Sequence, residues 1–192
     1  MRFLIDTYIK AEESEKVSPF DDISLLQLME TDMDKAIDSL PKSVKGNQEA
    51  VAEIIENNVR SKIVKEHLLD PKYFDHMSVL LQELIEKRKK ETISYQAYLK
   101  EMAELIRQVN QGKKDDVPAS LNTKGKVALY HTLGDENLAL ACEEAVQYVK
   151  QEGFRENLAK QKLVKKAIYD VVKDIEKVEE VYKIIEAHKD EY

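Results

Sequence analysis

A chain of 192 residues is long enough for one medium domain with a core of its own. Hydrophobic residues at 43% and charged residues at 35% place it among globular proteins with charged outer helix faces, far from disordered or fibrous chains. Its formal net charge of −7 is uneven: residues 1–58 hold 13 acids against 6 bases and the remainder balances at 24 of each, which disfavours general electrostatic binding to nucleic acid. With only 5 Gly and 4 Pro there are too few punctuating residues for a sheet protein with many turns, so the expected class is all-α. No apolar run approaches the roughly 20 residues that cross a bilayer, and the opening residues lack the apolar block and cleavage site of a secretion signal. The single Cys142 has no disulfide partner and no metal-site spacing with His67, His76, His131 or His188. A reducing cytoplasm and no membrane partner are expected.

In chain order, Phe3, Leu4, Ile5, Tyr8 and Ile9 start a helical period at Met1 with no cap, as in a fragment whose upstream part is cut away. Ser14 to Asp22, with Pro19, breaks it, and Asp22 is placed to cap a short helix through Leu25, Leu26, Leu28 and Met29. A further short piece is expected within Glu30 to Asp38, ending before Pro41, and Gly46-Asn47 reads as a turn and a cap. From Gln48 to about His67 a long helix is expected with Val51, Ile55, Val59 and Ile63 on one face. Asn58 and Lys62 fall within about 60 degrees of that face.

The stretch from Asp70 to Gln111 organises the rest as an antiparallel helical hairpin. Asp70-Pro71 opens its first helix, because Asp accepts an orphan N–H and Pro at the first position has none to lose. Tyr73, Met77, Leu80, Leu81, Leu84 and Ile85 give a stripe with offsets of three and four. The run Lys87 to Lys90 complements the carbonyl end of the helix dipole. Ser94 caps a second stripe of Tyr95, Leu99, Met102, Leu105, Ile106 and Val109.

A polar loop from Gly112 to Ser120 follows, then Asn122 or Thr123 as cap for Val127, Ala128 and Leu129. Gly134 is placed to end that helix in the left-handed region and Asp135 to cap Leu138, Ala141, Ala145, Val146 and Val149. Gly153 stops it; Leu163, Val164, Ala167, Ile168 and Val171 form the next stripe. Asp174 caps a last helix with Ile175, Val178, Val181, Tyr182 and Ile185. The expectation is one domain over 1–192, a multi-helix bundle with acidic helices and loops in 1–46, the long helix and hairpin in 47–111, and C-terminal helices in 112–192.

Gly-rich phosphate loops, HExxH, Gly-x-Ser-x-Gly and Cys pairs are all missing, so no catalytic, cofactor-binding or metal residue is nominated. The four histidines read as surface or helix-end residues and Cys142 as a packed thiol. Two polar features remain. Asn58 and Lys62 are either rolled outward or a polar spot in a partner groove. In Leu163 to Lys173, with Val164 at zero and about 100 degrees per residue, Ala167, Ile168 and Val171 cluster inward while Lys162, Lys166, Tyr169 and Lys173 fall opposite. That stripe is either the solvated side of an amphipathic helix or a contact for phosphate or for an acidic patch on a partner.

The stretches FLIDTYIKAEESEKVSPFDDISLLQL (Phe3 to Leu28), AVAEIIENNVR (Ala50 to Arg60), YFDHMSVLLQELIEKRKKETISYQAYLKEMAELI (Tyr73 to Ile106), PASLNTKGKVALYHTLG (Pro118 to Gly134) and the last three residues, DEY, run in order over nearly the whole chain. Together they resemble the C-terminal helical region of the R subunit of type I restriction enzymes. Phe154, beside Gly153, departs from the Trp more often carried there. The resemblance implies a parent ATP-dependent, Mg2+-requiring DNA translocase and endonuclease of restriction-modification, working on a core of methyltransferase and specificity subunits. It implies that these residues are the non-catalytic part, without enzyme activity or cofactor of their own, docking the R subunit to that core. The alternatives are a DNA-contacting or motor-coupling element, with DNA met through the parent complex, or a buttress on the helicase part.

Overall fold

The computed structural model describes residues 22–112 and 117–192, and all regular structure within them is helical. The fold is all-α. The helix expected over Phe3–Ile9 and most of the break after it lie outside the described residues.

Three short helices come first: α1 (Asp22–Thr31), α2 (Met33–Asp38) and α3 (Lys42–Lys45). Asp22 is the first residue of α1 rather than a cap before it. Asp32 ends α1 and caps α2, its carboxylate accepting the Lys35 N–H at 3.1 Å. The α3 turn went unforeseen because four residues are too few to display a period. The long α4 (Gln48–Glu66) starts at Asn47, whose side-chain oxygen accepts from the N–H groups of Glu49 and Ala50. It buries Val51, Ala52, Ile55, Val59 and Ile63.

In α5 (Pro71–Lys89) the cap is Asp70, which accepts the Tyr73 N–H with Pro71 at the first position. Ser94 caps α6 (Tyr95–Gln111) through the Ala97 N–H. The two helices meet where the Tyr73 hydroxyl donates to the Gln108 carbonyl at 2.8 Å and where Lys87 reaches Glu101 at 3.3 Å. The inward row of α6 is Tyr98, Met102, Leu105, Ile106 and Val109, while Tyr95 and Leu99 are only half-buried. Tyr98, absent from the expected stripe, stands four and seven residues before Met102 and Leu105 and so shares their face, where its buried hydroxyl finds Glu56 as acceptor. Helices α1 to α6 enclose one hydrophobic cluster, from Leu25 to Val109.

A second cluster, from Ala128 to Tyr192, lies between α7 (Lys124–Leu133), α8 (Glu136–Val149), a 3-10 turn (Phe154–Glu156), α9 (Leu158–Val172) and α10 (Ile175–Ala187). Thr123, Asp135, Asn157 and Asp174 cap the four α-helices with their side-chain oxygens, and Gly134 at φ 74° ends α7 in the left-handed region. Three expectations are corrected here. Helix α8 buries Ala139, Cys142, Glu143 and Val146 and leaves Ala141 exposed, a rotation of about one residue from the expected stripe. Alanine is small enough to suit either side, so the orientation follows Glu143, whose carboxylate accepts the buried Tyr192 hydroxyl. Leu163 is 49% exposed because it sits about 100 degrees from Val164. Ile175 is 73% exposed as the first residue of α10, where its side chain leans toward the open N-terminal end. Among the described residues no helix is long and apolar enough to cross a membrane.

Candidate functional site

Two places combine unusual chemistry with access: the outer face of α9 and the seam between the clusters. On α9, Val164 and Ile168 point into the second cluster and pin the helix, so Lys162, Lys166, Tyr169 and Lys173 all stand exposed, as the spacing required. Lys165, at the edge of the row, is drawn down: its ammonium donates to both Glu179 oxygens at 2.8 and 2.7 Å and lies 4.6 Å from the Tyr182 ring centroid. Lys162 and Lys166 have no ion-pair or hydrogen-bond partner among the described residues. Lys173 ends α9 at φ 58°, a conformation that costs an L-residue about 1–2 kcal/mol. Its ammonium lies 5.7 Å from the Tyr169 ring centroid and 3.8 Å from Asp170.

The other nominated pair is not part of this surface. Asn58 is buried rather than rolled outward, and its amide donates to the Ile54 carbonyl of its own helix at 2.9 Å. Lys62, largely covered, pairs with Glu66 at 2.5 Å one turn on. Beside Asn58 on α4, the buried Glu56 accepts from Arg88 Nε at 2.9 Å and from the Tyr98 hydroxyl at 3.0 Å. Burial, then the Glu56 charge, pushes the Tyr98 phenol far up, so that hydroxyl remains a donor. The last turn of α5, the middle of α4 and the start of α6 are tied together there.

At the seam, His131 Nδ1 lies 2.6 Å from Asp70 Oδ2, the oxygen that capping leaves over, and the imidazole stacks on Tyr73 at 5.5 Å. His188 Nε2 donates to the Leu69 carbonyl at 2.8 Å. Both histidines stand at helix ends, as one of the two expected readings had it, His131 in the last turn of α7 and His188 at the cap of α10, but they also link the clusters; a contact over a sequence separation of 61 or 119 residues leaves no periodic trace. Burial first, and Asp70 second, push the Tyr73 phenol up to about 12. A cleft of about 370 Å³ opens beside it, with Phe74, Val109, Leu121 and Val127 among its walls and Lys124 at its rim. Cys142 is buried, and desolvation, with Glu143 adding to it, pushes its thiol up to about 12, the condition of a packed thiol and not of a nucleophile. Phe154 is buried under the Arg155 guanidinium, 4.6 Å from its ring centroid. No group of three or more His, Cys, Asp and Glu able to hold a metal occurs among the described residues.

Comparison of the chain with protein-family models, with characterised proteins and with solved structures returns no match.

Proposed function

We propose that this chain is a non-catalytic helical docking domain, of the kind that ends the R subunit of type I restriction enzymes, and that it seats such a subunit on a methyltransferase and specificity core. The observation that carries the reading is the α9 face, where Lys162 and Lys166 stand beside exposed Tyr169 without partners among the described residues. Lys165, at the edge of the row, is by contrast drawn onto Glu179. The same row favours one second reading, a phosphate contact along the path of translocated DNA, whose binding would fall with salt and be blind to sequence. A pull-down of the chain by a purified methyltransferase–specificity core tests the first reading. Retention is expected, and failure to retain at low salt refutes it. The pure chain is expected neither to hydrolyse ATP nor to cut DNA with Mg2+ present; DNA-stimulated ATP turnover would contradict its non-catalytic role.

A further inference from the structure

The α9 face carries more than charge. Lys162 and Lys166 stand one turn apart on the outer side of the helix, and Lys173, its exposed left-handed cap with Asp170 3.8 Å away, extends the row to roughly 16 Å at 1.5 Å per residue. Leu158, 74% exposed, and Tyr169, 42% exposed, lie on one flank of that row, and Leu163 lies on the other. Aliphatic flanks gain nothing against a phosphate backbone, whose footprint is made by cations and hydrogen-bond donors. Apolar side chains standing beside exposed charge suit a protein–protein contact, whose surface mixes the two. A short acidic segment of a partner needs only the local lysines, whereas a phosphate backbone would need a longer run of cations.

Resting on the docking reading above, we infer that the outer face of α9 receives an acidic amphipathic helix of the partner protein. The carboxylates of that helix pair with Lys162, Lys166 and Lys173, and its apolar stripe covers Leu158, Leu163 and Tyr169. A helix laid alongside α9 can repeat the spacings of four and seven residues that separate the lysines, which no irregular strand of charge would match in register.

The test compares the 192-residue chain with K162E/K166E/K173E and with L158S/L163S/Y169S, measuring affinity for a purified methyltransferase–specificity core and for a duplex DNA oligonucleotide, together with sedimentation of each chain alone. Both variants are expected to bind the core at least about tenfold more weakly while keeping a cooperative melting transition, and the wild-type complex to weaken in high salt. If the apolar triple variant melts early, Leu158→Ser alone takes its place. Core binding unchanged in both variants overturns this face while leaving the docking reading intact; a wild-type chain that does not bind the core overturns the docking reading and this inference with it. Loss in the lysine variant alone, paralleled by lost DNA binding, assigns the face to phosphate instead, and self-association abolished by the variants assigns it to a second copy of the chain.

Discussion

Replacing Glu56 tests the physical account of the first cluster most sharply. The Glu56 side chain is 8% exposed and Arg88 is 13% exposed. Arg88 donates from Nε at 2.9 Å and Nη2 at 3.4 Å, and Tyr98 donates at 3.0 Å. Glu56→Ala therefore leaves a nearly dry guanidinium and a buried hydroxyl without their acceptor, a change that costs about 3–5 kcal/mol when one member of a buried pair is removed. For a domain of this size that is a fall in melting temperature of roughly 6–20 °C. Arg88→Met is expected to cost a similar amount by stranding the carboxylate. The double variant E56L/R88M, which removes both charges, should be less destabilised than the two single losses together by about 2 kcal/mol or more. Urea unfolding followed by far-ultraviolet circular dichroism measures all three against wild type. A cost below about 1 kcal/mol for Glu56→Ala, or simple additivity in the cycle, would refute the claim that this network is a coupled, desolvated unit.

A Cβ at Gly125 would lie 2.5 Å from Glu191 Oε2 and 2.9 Å from the Tyr192 hydroxyl. Tyr192 cannot step aside, because its hydroxyl is bound by Glu143 and its main-chain oxygen by Arg155. Gly125→Ala should thus destabilise by about 1–3 kcal/mol despite the helix propensity of alanine, and an unchanged or raised melting temperature would show the site to be loose. Cys142 is expected to resist alkylation in the native protein at pH 8 and to react once urea unfolds it; rapid native labelling would contradict its burial. The raised phenols of Tyr73, Tyr98 and Tyr192 favour the folded state while they stay protonated. Their unfolded counterparts ionise near pH 10, so this stability is whole below about pH 10 and is lost as pH rises through the folded value, about 12 for Tyr73. Tyrosinate absorbance should accordingly rise in step with loss of the helical signal above pH 10, and complete ionisation of an intact fold would count against it. K162E/K166E/K173E should melt within about 6 °C of wild type, since three exposed substitutions of up to about 0.5 kcal/mol each sum to about 1.5 kcal/mol.

The sequence by itself determined what local rules govern. Asp70-Pro71, Ser94, Gly134, Asp135 and Asp174 start or stop helices through hydrogen bonds that span only a few residues, and each does so in the structure. The outward lysine row of α9 was legible for the same reason: once Val164 and Ile168 face inward, the helical period dictates the other side. Only the tertiary structure decided which polar groups would be buried. Glu56, Tyr98, Glu143, His131 and His188 each look like a break in a stripe or a surface residue until a partner 30 or more positions away, such as Arg88 for Glu56, meets it in space. The same holds for the rotation of α8 and for the contact of Asp70 with His131 between the two hydrophobic clusters. Helical periodicity carries the direction of each side chain from its own axis, whereas the cost of burying a polar atom depends on an acceptor or donor that another element supplies.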